Sequence, residues 1–218
     1  MRPYPSWSHP LWSQIGWSRP SWPHPSWPHI ALWHALVIVA LLAPVQCLAG
    51  TAELDGVRLS DTVQRDGKVL HLNGIGLRTY SILGIHIYVA GLYLEHPSTD
   101  AAAIMQSPET KLLKIRFVRN VGAEAARDAW RKGLLNNCRA PCRLDPDDLA
   151  HFLALVPAMH AGERYSILFT GLGATVSADG APLGTIAKPE FASAMLATFL
   201  GPTPASPMLK AELLQGRE

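Results

Sequence analysis

Residues 74–95 read GIGLRTYSILGIHIYVAGLYLE, and this stretch decides the fold. Ile, Leu, Val and Tyr dominate it, Gly84 interrupts it near the middle, and no acid occurs before Glu95. β-Branched and aromatic side chains fit a pleated, packed surface, so two long, mostly buried strands are predicted, joined near Gly84. Side chains alternate across a strand, so the joining loop decides whether Arg78 and Tyr88 share a face. A two-residue loop separates them, whereas a three-residue loop such as Leu83-Gly84-Ile85 brings them together. The odd loop is the expectation.

Short strands are predicted on the N-terminal side, from Gly56 to Asp66 and from Lys68 to Leu72, around the Asp66-Gly67 turn. On the other side, KLLKIRFVR from Lys111 to Arg119 sets Leu113, Ile115 and Phe117 against Lys114, Arg116 and Val118. That period of two predicts a strand with one solvated face. A helix is predicted over Ala123–Leu135, with Ala126, Trp130 and Leu134 on one face. A second opens at the N-cap Asp145 with Pro146 at its first position and Leu149, Phe152, Leu153 and Val156 inward. Strands follow over 164–170, 174–177 and 182–187, with turns at Gly171, Gly173 and Asp179-Gly180. A helix then runs through Phe191, Met195 and Phe199 to Gly201, and a short one from Ser206 to Leu214. Strands, helices, strands and a helical end make an α+β chain whose helices layer one face of a mainly antiparallel sheet.

The first 49 residues differ from the rest. Six of the seven tryptophans fall within residues 1–34, at a five-residue period from Trp7 to Trp27 among Pro, Ser and His. Proline at this density denies backbone donors to helix and sheet, so 1–34 read as a low-complexity, polyproline-like extension or sequence upstream of the true start. Ala35–Ala43 is an unbroken apolar run, followed by Pro44 and Cys47-Leu48-Ala49. That pattern is a secretory signal with cleavage expected after Ala49, and the run is far short of the roughly 20 apolar residues that span a bilayer. A lipoprotein cysteine at Cys47 fits less well after Pro44-Val45-Gln46. The expected mature domain, 50–218, is periplasmic or secreted and has no stable membrane span.

Removing the leader takes away Arg2 and Arg19 and no acid, leaving seventeen basic and seventeen acidic side chains. A neutral chain without a basic run offers no surface for tracking phosphates, so nucleic acid is not an expected partner. Cys138 and Cys142, in CRAPC, are expected to form a disulfide in an exported protein. They supply only two soft ligands, His151 lies nine residues on, and His71, His86, His96 and His160 show no ligand spacing, so no metal is expected. Gly171-Leu172-Gly173 lacks the strand-turn-helix context of a nucleotide loop. No cofactor is indicated.

The G-x-G-x-R opening at Gly74 and the Tyr88-Val-Ala-Gly-Leu-Tyr-Leu close resemble the chalcone isomerase family. So does the later run of Gly173-x-x-Val176-x-x-x-Gly180, Gly184-x-Ile186, Phe191, Ala194, Leu200-Gly201 and Ser206-Pro207-x-Leu209-Lys210, in the manner of the family's exported bacterial branch. The resemblance spans roughly 53–215. It implies an open-faced β-sandwich, a large curved antiparallel sheet backed by helices, with an apolar cleft between them. It also implies that Arg78 occupies the place of the arginine that steers anions in the catalytic members. The family's reactive threonine falls at Tyr88, its helical Tyr and Asn fall near Ala125 and Lys132, and its late polar residue falls near Ala181 or Pro182. Of that constellation only Arg78 is retained, and each lost hydroxyl partner costs on the order of 2.7 to 4 kcal/mol of transition-state stabilisation.

A guanidinium inside an apolar cleft calls for an anion. The pair of Arg78 and Tyr88 resembles the carboxylate clamp expected of the family's fatty-acid-binding, non-catalytic branch, and the resemblance makes the leading expectation a non-catalytic domain binding a fatty acid or similar amphipathic carboxylate. Arg78 would be the clamp, Tyr88 a second donor, and His86 a further residue lining the cleft. The alternatives are an intramolecular lyase of chalcone isomerase type acting on an aromatic ligand, and a structural or partner-docking domain.

Overall fold

The computed structural model describes Ser21 and residues 50–217 apart from 82 and 139–141, so the leader lies outside the described residues. The order is β1 (Thr51–Leu54), β2 (Val57–Ser60), β3 (Thr62–Arg65), β4 (Lys68–Tyr80), β5 (Ile85–Leu94), α1 (Ala101–Gln106), β6 (Lys111–Phe117) and α2 (Ala123–Asn137). It continues with α3 (Pro146–Ala154), β7 (Arg164–Thr170), β8 (Gly173–Ala178), β9 (Ala181–Ile186), α4 (Pro189–Leu200) and α5 (Pro207–Leu213). Strands β3 to β9 form one antiparallel sheet in chain order, and β1–β2 form a separate hairpin. The α+β expectation holds.

Asp-Gly pairs set three of the hairpins. Asp55-Gly56, Asp66-Gly67 and Asp179-Gly180 all have positive φ at both residues, which two-residue primed turns require. Strand β1 and helix α1 add to the predicted elements; both are too short to show a period. Helix α1 is marked only by Asp100, whose carboxylate accepts from the Ala102 and Ala103 amides. The expected breaks at Leu72 and Gly74 are not a loop. Lys68–Tyr80 is one strand whose register slips by one residue at Asn73.

Asn73 is fully buried at this bulge, and its side chain is satisfied twice. Its Nδ2 donates to the Leu213 carbonyl at 2.8 Å, and its Oδ1 accepts from the Ser98 amide at 2.7 Å. Asn73→Ala is expected to cost about 1–3 kcal/mol by leaving both backbone groups without that partner, measurable as a lower urea midpoint. An unchanged midpoint would refute this role.

The sheet is packed on both faces. Between sheet and helices lies the larger core, with Leu92, Leu113, Phe152, Met195, Leu200 and Leu213. On the other face, Ala52 and Val57 of the β1–β2 hairpin cover Leu70, Leu72, Val89 and Tyr93. That cover explains a departure from expectation in β6. Its second face is not solvated: Leu112 is buried, Lys114 and Arg116 are half-buried, and Lys114 lies over the Tyr93 ring at 5.0 Å.

Cys138 and Cys142 are joined in a disulfide, as expected, at the C-terminal end of α2. Their sequence separation is 4, so the bond closes a very short loop and is worth about 2 kcal/mol in the chain-entropy account. Dithiothreitol should lower the unfolding midpoint by that modest amount without abolishing folding. Complete unfolding on reduction would show a larger role.

Candidate functional site

Gly74, Gly76 and Arg78 lie on one face of β4, because alternate residues of a strand point the same way. The two glycines let α5 settle onto the strand. A Cβ at Gly74 would stand 2.2 Å from the Glu212 carbonyl oxygen and 2.6 Å from that of Leu213, and one at Gly76 would stand 2.7 Å from the Glu212 Cβ. Glu212 in turn accepts the Leu77 amide on its Oε2 at 2.8 Å, satisfying a strand donor beyond the reach of β3. Arg78 is the next residue on that face, and there the sheet opens into a cleft.

Arg78 and Tyr88 are direct cross-strand partners on that face. The device differs from the expected three-residue loop. Tyr80 pairs with Ile85 across four intervening residues, and a one-residue slip at Ile87 then restores the shared face. A bulge supplies the odd residue that the turn does not.

The cleft has a volume of about 460 Å³ and lies between the sheet and helices α2 to α4. Its sheet wall carries a row of rings: Tyr88 meets Phe117 at 5.4 Å, and Phe117 meets Tyr165 at 5.5 Å, both edge to face. Its helical wall is centred on Trp130, which packs against Phe152 at 5.0 Å and Phe199 at 5.7 Å. Pattern reading placed Trp130 and Phe117 in the core and overlooked their role as walls. Only the tertiary gap between sheet and helices distinguishes the two roles.

Several polar groups of the lining are already engaged. Asn120 Oδ1 accepts from the Ala161 amide at 2.8 Å, Thr198 donates to the Met195 carbonyl at 2.7 Å, and the Tyr165 hydroxyl meets Glu163 Oε2 at 3.3 Å. The Arg78 guanidinium and the Tyr88 hydroxyl make no hydrogen bond or ion pair with any described residue. Among the described residues no side-chain polar atom is both fully buried and unpartnered, so these two groups face open space. The cleft therefore offers a fixed cation beside a phenol donor within apolar walls.

Burial pushes the Tyr88 hydroxyl up to about 12, and the nearby Arg78 guanidinium opposes that rise. Burial, reinforced by the Glu163 carboxylate, also takes Tyr165 to about 12. Tyr88 is thus a donor near neutral pH and a poor base. Unfolded tyrosine ionises near pH 10, so the unfolded chain releases these protons first. The corresponding stability is complete below about pH 10 and is lost as pH rises toward about 12. Unfolding midpoints should fall across that window, and less steeply in Tyr88→Phe. Identical slopes for both proteins would contradict the assignment.

His86 does not join this site. It lies on β5 one residue before the bulge, is exposed, and its Nδ1 pairs with Asp55 Oδ2 of the β1–β2 turn at 3.0 Å. The slip at Ile87 that aligns Tyr88 with Arg78 leaves His86 beside that hairpin. Of the other positions the resemblance singled out, Ala125 lines the cleft with only a methyl group, and Lys132, Ala181 and Pro182 are exposed. No group of His, Cys, Asp and Glu among the described residues could hold a metal.

The family model described as chalcone isomerase-like matches residues 51–215. The chain belongs to the chalcone isomerase-like family. In three dimensions it is similar to a fatty-acid binding protein of Arabidopsis thaliana, with a TM-score of 0.64 and 15% identity, covering 76% of this chain and 96% of that one. This likeness shows the fold, the curved antiparallel sheet backed by helices that the resemblance implied. A search of curated proteins finds no match. Within the chalcone isomerase-like fold, Arg78 stands where the cleft opens beyond α5.

Proposed function

We propose that the cleft binds a fatty acid or a similar amphipathic carboxylate without transforming it. Arg78 is the anion clamp and Tyr88 the second donor. The observation that carries this reading is a guanidinium beside a phenol hydroxyl, neither with a hydrogen-bond or ion-pair partner among the described residues, in a mainly apolar cavity. A carboxylate would satisfy both, and its hydrocarbon chain would lie against Phe117, Trp130 and Phe199. The Arabidopsis neighbour is a fatty-acid binding protein, which agrees with that ligand class.

Cyclisation of a chalcone is the weaker reading. It needs polar groups to position and polarise the reacting ketone, and Ala125 supplies none. We place the domain outside the cytoplasm after removal of a leader ending at Ala49. The Cys138–Cys142 disulfide suits that setting, and no described helix is long and apolar enough to cross a membrane.

Native mass spectrometry of protein purified from its own compartment tests the reading. The expected result is an adduct that solvent extraction identifies as a long-chain carboxylic acid. Protein that is empty, and that stays empty after incubation with fatty acids, would overturn it.

A further inference from the structure

The cleft crosses the sheet rather than following one strand. The same cavity is lined by Arg78 of β4 and by Leu183 of β9, five strand spacings away in the sheet order. Strands lie about 4.8 Å apart, so the path along the sheet surface from Arg78 to β9 is on the order of 24 Å. Phe117 of β6, Ile167 of β7 and Val176 of β8 line the wall between those points.

The far end is built by a bulge and a missing side chain. Strand β9 is the last of the sheet, and its register with β8 slips between the Val176–Gly184 and Ser177–Pro182 pairs. Leu183 is the extra residue of this bulge, and its side chain joins the cavity lining. Gly184 stands beside it without a side chain, and Leu155 takes the vacant place. A Cβ at Gly184 would stand 2.5 Å from Leu155 Cδ1 and 2.9 Å from its Cδ2.

Leu155 also lines the cavity, and its backbone is fixed at the C-terminal end of α3. Its amide donates to the Phe152 carbonyl at 3.0 Å, and the carbonyl of the next residue, Val156, accepts from Arg127 Nε of α2 at 3.0 Å. The first turn of α3 is tied to the chain just after β9, where Lys188 Nζ meets Asp148 Oδ2 at 2.8 Å. Leu155 is thus held against the last strand by both ends of its helix.

A cation at one end and two leucines at the other give the cleft a defined length. We propose that Leu155, seated on Gly184 beside Leu183, is the end stop that sets the longest hydrocarbon chain the cleft accepts. The protein then selects straight-chain carboxylates by length. The stop rests on the reading of Arg78 as the carboxylate clamp: with the head group fixed there, each added methylene extends the chain toward β9. Up to the stop, each methylene leaves water and raises affinity about fourfold. A longer chain must displace Leu155 or pull its head group away from Arg78, and affinity falls.

Equilibrium dialysis against radiolabelled straight-chain saturated acids from octanoic to docosanoic, below their micelle concentrations, tests the proposal. Wild type should show an optimum length and a drop at the next longer acid. Leu155→Ala makes room for about two methylenes, so its optimum should move to a longer acid, with affinity for the first acid that wild type disfavours raised on the order of tenfold. Gly184→Ala pushes the Leu155 side chain into the cavity and should move the optimum to a shorter acid. A loss of stability cannot shift the optimum in opposite directions. Both changes are remote from Arg78, so both variants should keep the wild-type preference for dodecanoic acid over dodecanol. Affinity that climbs without a break in wild type, an unmoved optimum in Leu155→Ala, or a shift of both variants in one direction would overturn the stop while the clamp stands. Failure of wild type to bind any acid would overturn the clamp and the stop with it.

Discussion

Gly74→Val is expected to detach α5 from the sheet and to destabilise the protein by about 3 kcal/mol or more. The reason is the identity of the obstructing atoms. A Cβ at Gly74 meets main-chain carbonyl oxygens of Glu212 and Leu213, which cannot move unless the whole helix moves. Displacing α5 uncovers Leu209 and Leu213, both buried, and breaks the bonds from Asn73 and Leu77 to its last turn. Gly76→Ala should cost less, because two of its three nearest obstacles, Glu212 Oε2 and Leu209 Cδ1, are the ends of side chains that can turn aside and only the Glu212 Cβ is tied to the helix, whereas Gly74 meets main-chain atoms. Urea unfolding followed by limited proteolysis measures both effects. Gly74→Val should expose the C-terminal segment to cleavage at denaturant concentrations where Gly76→Ala remains protected. Equal stability of Gly74→Val and wild type would show that the glycines do not seat the helix.

The second large effect concerns ligand affinity. Arg78→Ala should weaken binding of a fatty acid by about ten- to a hundredfold, the range expected for losing a hydrogen bond to a charged group. Arg78→Lys keeps the charge without the fork and should fall between. Tyr88→Phe should lose less than Arg78→Ala, because a neutral donor contributes about 0.5–1.5 kcal/mol. Stability gives the complementary measurement. Arg78 has no described partner to lose, so its replacement by leucine should leave the unfolding midpoint unchanged or raised while affinity falls. A fall in both would mean that Arg78 holds the sheet together and that the cleft's function lies elsewhere. Fluorescence displacement and chemical denaturation on the same protein samples separate these outcomes.

Much of this architecture was legible from local chemistry. The Asp-Gly pairs, the Asp145-Pro146 helix start and the period-2 runs at 111–117 and 164–170 each place an element by a short-range rule. The glycines at 74 and 76 were legible as a pattern but not as a mechanism, since the helix they accommodate lies some 135 residues further on. His86 was misplaced for the same kind of reason. Counting alternation from the turn assumes an unbroken ladder, and the slip at Ile87 breaks it within two residues. The solvated face expected of β6 failed because a hairpin of only eight strand residues, invisible to periodicity, shields it.

The seating of α5 also bears on when the cleft comes into being. Each strand from β3 to β9 pairs with its neighbour in sequence, so the sheet can grow strand by strand in chain order, with its longest closure at β6–β7 across α2 and α3. The bond from Leu77 to Glu212 joins residues 135 positions apart and so waits for α5. A polypeptide emerging from its N-terminus would thus expose Gly74, Gly76 and the bare edge of β4 until α5 arrives. Helix α5 acts as a clasp, and ligand capture should follow its seating rather than the closure of the sheet.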